Sequence, residues 1–291
     1  MSILMATCEY KKVHGISIRI DIFPIEGAIR PTPAVLFIHG GCLMAGVRTD
    51  QSETMSRFYN SLGYAALSVD YRLAPETKLA DIIGDIRDAL EWMRSEGAQL
   101  FNIDPDRIAV TGSSAGGYLA LVTGTFSRKP QAIVTNAGYG DVLGDWYYKP
   151  DPFYLRQPLV DKEKAFSYIG DKEVTEGHHG SLYLYCRQQG LWTSLVSGYD
   201  PVNERDKIMP FCPALNVTKN YPPTFMFHGD VDTDVPYSQS VQMAEALTGM
   251  GVEHKLVTLR NTGHMIYEAP DKDELKKGLE ENWLFLKRHL G

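Results

Sequence analysis

The 291-residue sequence has no uninterrupted apolar run of the roughly 18 residues that a membrane helix needs. Its start, Met1-Ser-Ile-Leu-Met-Ala6, places no basic residue ahead of an apolar stretch and so does not read as a secretory leader. Cysteine is scarce. The four present, Cys8, Cys42, Cys186 and Cys212, form no C-x-x-C pair and have no clustered histidines. This excludes a zinc-finger framework and, without a leader, predicts free thiols and a cytoplasmic protein. No Lys/Arg cluster offsets the net charge of −7, which argues against nucleic acid as a partner. Repeats and low-complexity tracts are also missing. What remains is an ordinary globular composition, 44% hydrophobic and 22% charged, long enough for one large α/β domain or two small ones.

Hydrophobic patterning then orders the chain. Ile16–Phe23 alternates apolar and polar residues with period two, as a half-exposed antiparallel strand does. Ala34–Ile38 is continuously apolar, which suits a strand covered on both faces of a parallel sheet. Tyr64–Val69, Ile108–Val110, Ala132–Thr135 and Thr224–Phe227 repeat that texture, and Lys255–Thr258 reads as a further strand. Between them, Ala80–Ser95, Tyr237–Met250 and Asp271–Leu290 carry helical periodicity, the last opening on acids and closing on Lys287, Arg288 and His289. Strands alternating with helices predict a mostly parallel, doubly wound sheet with helices on both faces and antiparallel strands at its N-terminal edge.

One stretch breaks the rhythm. Between Tyr139 and Tyr199, 12 of 61 residues are Phe, Tyr or Trp, against 31 in the whole chain. This density is expected either from a surface excursion with its own small core or from a mainly helical cap whose aromatic residues wall a substrate pocket. The two readings are compatible. The implied division is a core at 1–138 and 208–291 with a cap insertion at 139–207.

The segment Gly112-Ser-Ser-Ala-Gly116 lies between an apolar strand and an apolar helix. A serine on such a strand-to-helix turn is exposed by a strained backbone, and a Cβ at either flanking glycine would clash with the neighbouring helix or strand. Ser114 is therefore a candidate nucleophile, which needs a base, an orienting acid and donors for an oxyanion. In a sheet of this topology the acid and then the histidine follow the serine in the chain. Of eight histidines, His14 and His39 precede Ser114, and His178 and His179 form an adjacent pair in the irregular excursion. His254 heads a strand, His289 sits in the last helix, and His228 precedes the loop that carries the acids. His264 remains, in a Gly-containing turn between the last strand and the last helix. Among Asp230, Asp232 and Asp234, Asp232 is preferred, 32 residues before His264. Asp230 is expected to structure the turn, and Asp234 to face solvent or cap the following helix. His39-Gly-Gly-Cys42 follows a strand as a Gly-rich turn. With Ala115, the N–H groups of Gly41 and Cys42 are the oxyanion candidates. Cys42, Cys186 and Cys212 have no partner arrangement that suggests a thiol nucleophile.

Five motifs in this order carry a resemblance: His39-Gly-Gly, Asp70-Tyr-Arg-Leu-Ala-Pro-Glu76, Gly112-Ser-Ser-Ala-Gly-Gly117, His228-Gly-Asp-Val-Asp-Thr-Asp-Val-Pro236 and Gly263-His264. Over roughly residues 34–138 and 208–291 the chain resembles an α/β-hydrolase, in the esterase/lipase branch similar to hormone-sensitive lipase and the small carboxylesterases. It departs from that branch in two ways. Cys42 replaces the last glycine of the usual His-Gly-Gly-Gly, and the cap must come from the excursion rather than from an N-terminal extension. In Asp70–Glu76, Arg72 and the two acids are expected to brace the loop beneath the serine turn. The segment Leu182–Trp192 is similar to segments of fungal hydrolases of this fold, which points toward specialised metabolism.

These observations imply a serine hydrolase without cofactor or metal. It acts through an acyl-enzyme on an ester, lactone or thioester of a small to medium apolar or aromatic molecule, and a homodimer is compatible with it. The competing expectations are acyl transfer by the same residues, and a lyase or ligand-binding member of the fold.

Overall fold

The computed structural model describes residues 5–178 and 180–291, with His178 described in its backbone only. β1 (Ala6–Val13) and β2 (Ile16–Phe23) form a hairpin whose two turn residues, His14 and Gly15, both have positive φ, as a tight turn between twisted strands requires. The chain continues through β3 (Thr32–Ile38), α1 (Ser52–Ser61), β4 (Ala65–Val69), α2 (Leu79–Trp92), β5 (Ile103–Ser113), α3 (Ala115–Thr123) and β6 (Ala132–Asn136). The excursion follows, with α4 (Gly180–Gln189) and α5 (Trp192–Ser197) as its main helices. β7 (Thr224–Gly229), α6 (Ser238–Gly249), β8 (His254–Leu259) and α7 (Lys272–Leu290) complete the fold. These eight strands form one sheet in the order β1-β2-β4-β3-β5-β6-β7-β8, antiparallel at the β1–β2 and β2–β4 pairs and parallel beyond, and Ala45–Gly46 pairs with Gly177–His178 in a separate two-stranded ladder. The expected α/β architecture is present.

The apolar run of β3 shows why no alternation is visible in its sequence. Ala34, Leu36 and Ile38 join the core on the α2 and α3 side, while Val35 and Phe37 join the core under α1 and α7. Each face is covered, so every residue is apolar. β2 differs from its expectation at one point: Asp21 is buried, because Thr7 Oγ1 donates to it at 2.7 Å and Arg48 Nε at 2.9 Å. Helix α1 was not legible, since its buried face includes the small polar residues Ser52 and Ser56 beside Met55 and Tyr59.

Among the described residues, the excursion has no core of its own. Ala165, Leu182, Cys186, Trp192 and Val196 belong to the same buried cluster as α2 and α3. Short helices expose too much of their surface to be stable alone, and these gain burial by docking on the sheet's carboxyl edge. Among the described residues, no helix is long and apolar enough to cross a membrane, and no group of ligating side chains could hold a metal ion.

Candidate active site

β5 runs directly into α3, and the corner between them is Ser114, with φ 55° and ψ −121°. A non-glycine residue held there costs about 1–3 kcal/mol, sustained by the surrounding packing. The Ser114 N–H donates to Asn136 O of β6 at 2.8 Å, which fixes the corner from the next strand. The flanking glycines leave room for nothing else. A Cβ on Gly112 would lie 2.2 Å from Gly116 O, and one on Gly116 would lie 2.0 Å from Ile38 O.

Past β7, the Asp232 carboxylate organises its own loop. Its Oδ1 accepts the N–H of Asp234 at 2.8 Å and of Val235 at 3.0 Å, and its Oδ2 accepts Nδ1–H of His264 at 2.7 Å. Its side chain is fully buried. Burial alone would raise its pKa, but the hydrogen bonds from His228 and His264 and the nearby His264 charge outweigh that and hold it well below the carboxylate range. The loops carrying acid and histidine are tied together, since Asp230 N–H donates to Leu259 O and Val231 N–H to Thr262 O, each at 3.1 Å. His264 responds in the opposite sense from Asp232. Burial lowers its pKa, yet the Asp232 hydrogen bond and the charges of Asp234 and Asp232 carry it above 6.5. With Nδ1–H given to Asp232, neutral His264 keeps its lone pair on Nε2.

His228, set aside on chain order, proves to support this loop. Fully buried at the end of β7, it lies with Nε2 3.0 Å from Val235 O and 3.2 Å from Asp232 Oδ2, while Nδ1 meets Ser240 Oγ at 2.7 Å. Its place immediately before the acid-rich loop was the only available signal. His179 lies outside the described residues, as does the side chain of His178.

The turn after β3 faces Ser114. A Cβ on Gly40 would come within 3.0 Å of Ser113 O, and Gly41, at φ 103°, would place one 2.2 Å from Ala45 O. Cys42 and Leu43 also have positive φ, at 54° and 63°. This coiled backbone is pinned from outside: Trp192 Nε1–H of α5 donates to Cys42 O at 2.9 Å, and Ala74 N–H to Leu43 O at 2.7 Å. Among the described residues, no protein acceptor takes the N–H of Gly41 or Cys42. Ala115 opens α3, so its N–H is one of the orphan donors with which every helix begins. Behind the turn, His39 stacks on Tyr71 with ring centroids 4.2 Å apart, and burial pushes its pKa down to about 4. It is neutral and structural. Burial, reinforced by Asp234, pushes the Cys42 thiol well above its ordinary range, so it stays protonated.

Ser114, His264, Gly41, Cys42, Tyr183 and Asp234 all line one cavity of about 630 Å³. Two expectations are corrected here. Tyr183 is the sole aromatic residue of the excursion among those lining the cavity. Three others, Trp146, Tyr147 and Tyr154, gather with Tyr183 around a buried cation instead: the Arg187 guanidinium lies 4.5–5.7 Å from the four ring centres. Asp234, expected at the solvent or as a helix cap, faces the cavity. Arg187 Nη1 donates to its Oδ1 at 3.1 Å, Tyr154 OH at 2.6 Å, and Tyr183 OH also donates there. A buried arginine needs carboxylates, and Asp151 and Asp234 supply them.

The Asp70–Glu76 segment is structural, though its partners differ from those expected. Arg72 forms a forked pair with Asp85 of α2, both bonds 2.8 Å, and reaches Glu173 of the excursion at 2.7 Å. Asp70 instead holds Arg48, and Glu76 accepts the N–H of Gly170.

The family model of the alpha/beta hydrolase fold matches residues 35–268. The chain belongs to the α/β-hydrolase family. Within it, the chain is 27% identical to the non-reducing polyketide synthase Preu6 of Preussia isomera over 94% of its own length, and 36% identical to the non-reducing polyketide synthase stbA of Stachybotrys bisbyi over 90%. It spans 14% of the length of each of these relatives. Among solved structures, esterase 2 of Thermogutta terrifontis has the same α/β-hydrolase fold, with a TM-score of 0.70 at 21% identity, covering 98% of this chain and 94% of that one. An acetyl ester-xyloside bifunctional hydrolase from Caldicellulosiruptor lactoaceticus does likewise, with a TM-score of 0.71 at 20% identity and coverage of 97% and 96%.

Proposed function

We propose that this α/β-hydrolase is a serine hydrolase that cleaves a carboxylic ester or thioester through an acyl-enzyme. The observation that carries the proposal is one arrangement: Ser114, strained at φ 55°, shares a cavity wall with His264, whose ring is fixed by Asp232 at 2.7 Å. Ser114 Oγ attacks the acyl carbon as His264 Nε2 takes its proton. Asp232 orients the imidazole and stabilises the imidazolium without itself being protonated. The unpaired N–H groups of Gly41, Cys42 and Ala115 receive the oxyanion, where one such donor is worth about 10²–10³ in rate. His264 then protonates the leaving alcohol or thiol, and water releases the acid.

Solved neighbours named as esterases support the ester chemistry, and relatives named as polyketide synthases support an acyl chain of polyketide type, apolar or aromatic. Residues 139–207 act as the cap, contributing Tyr183 and, through Arg187, the pose of Asp234. Ser114→Ala is expected to lower kcat/KM for p-nitrophenyl esters by about 10⁴-fold or more. Hydrolysis that survives this substitution undiminished excludes the proposal.

A further inference from the structure

Asp234 is not one of the three residues proposed to carry the attack, yet it is the most firmly held carboxylate on the cavity. Its Oδ1 collects three donors, Tyr154 OH at 2.6 Å, Tyr183 OH and Arg187 Nη1 at 3.1 Å, and its carbonyl takes a further bond from Arg187 at 2.9 Å. All three residues come from the excursion. Among the described residues none donates a hydrogen bond to Oδ2, which lies 3.5 Å from His264 Nε2. His264 therefore stands between two carboxylates, Asp232 on Nδ1 and Asp234 beside Nε2, with Arg187 behind Asp234 and His228 behind Asp232.

We infer that Asp234 is a positioning residue for the water that deacylates Ser114, and that it biases the acyl-enzyme toward hydrolysis and away from transfer to an alcohol. The inference rests on the proposed serine-hydrolase chemistry. Neutral His264 presents a lone pair at Nε2, and Asp234 Oδ2 is a second acceptor 3.5 Å away. One water has two O–H donors and serves both. An alcohol has one, so once that proton points at Nε2 the alcohol turns lone pairs or an alkyl group toward a carboxylate oxygen, a mismatch with an energetic penalty. Nor does Asp234 call for a cation, because Arg187 already pairs with it.

The step is balanced. The water oxygen bonds to the acyl carbon of the Ser114 ester, one proton passes to His264 Nε2, and the other O–H remains donated to Asp234 Oδ2. The tetrahedral adduct then breaks its bond to Ser114 Oγ, which recovers the proton from His264, and a carboxylic acid leaves.

The test is the partition of the acyl-enzyme from a p-nitrophenyl ester at a fixed methanol concentration, read as the ratio of methyl ester to free acid, with the acyl adduct on Ser114 followed by mass spectrometry. Both products arise from the same intermediate, so the ratio does not depend on the amount of folded enzyme or on the rate of acylation. Asp234→Asn replaces the second acceptor by an amide and is expected to raise the ratio about tenfold while the adduct accumulates. Tyr183→Phe keeps the carboxylate but removes one anchor, and is expected to raise the ratio about two- to threefold; it decides alone if Asp234→Asn does not fold. A ratio unchanged while an adduct forms on Ser114 overturns this inference and leaves the serine-hydrolase reading intact. No adduct in the wild-type protein overturns both.

Discussion

Ser114, Asp232 and His264 stand one, three and five residues past the ends of β5, β7 and β8, so the sheet itself aims them. Tyr183 and Arg187 stand on α4, which is placed by long-range side-chain contacts and by a two-residue strand pairing just ahead of it rather than by the main sheet. The first group is held by backbone: positive φ at Ser114 and Gly41, and glycines whose Cβ would meet carbonyl oxygens at 2.0–2.2 Å. The second is held by a buried cation among rings and carboxylates. The two regions meet at Asp234, which belongs to the acid loop by sequence and to the excursion by its hydrogen bonds. Position on a sheet edge is thus dictated locally. The wall opposite is assembled at a distance.

Removing the charge of Asp232 is the largest perturbation expected on the sheet side. Asp232→Asn should lower kcat about 10⁴-fold by releasing the His264 tautomer, as measured on a p-nitrophenyl ester. The pH profile gives the sign independently. His264 must be neutral to act as base, and its pKa is raised above 6.5, so wild-type kcat/KM should reach half-maximum above pH 6.5 and move lower in the variant. Stability follows the same shifts. The His264 contribution is fully present below pH 6.5 and is lost as pH rises through its higher folded value; that of Asp232 is present above pH 3.8 and is lost as pH falls. Gly41→Ala comes next. A Cβ 2.2 Å from Ala45 O must displace the turn, and kcat should fall about 10²–10³-fold as the oxyanion donors move.

The smallest kinetic effect is expected from the excursion, where the effect on stability is greatest. Arg187→Met leaves Asp151 and Asp234 without their buried partner and should cost about 3 kcal/mol in urea unfolding, with a loss in kcat of tenfold or less. A kcat loss as deep as that of Asp232→Asn would erase the contrast between the two regions. A stability loss confined to Asp232→Asn would invert it.

The same contrast explains what was legible in the sequence. The strands of the parallel sheet could be read because both faces are buried, so Ala34–Ile38 is apolar without a break. Ser114, Asp232, His264 and the His39–Cys42 turn could be placed because their loops follow strands at short range. Asp234 was misread because nothing near it in sequence names Tyr154, Tyr183 or Arg187 as partners. The aromatic density of 139–199 was visible, but not its use: in a linear sequence, rings that pack on a buried arginine look the same as rings that line a pocket. His228 was missed because chain order, a sound rule for the catalytic base, says nothing about a histidine that buttresses the acid.

The most direct test of the account is mass spectrometry of the protein quenched during turnover of a slowly hydrolysed ester, with the modified peptide sequenced. The account predicts an acyl group on Ser114 that accumulates when Asp234 is replaced by Asn and is absent from Ser114→Ala. An acyl group on Cys42 or on any other side chain, or steady turnover with Ser114 unmodified, would contradict it.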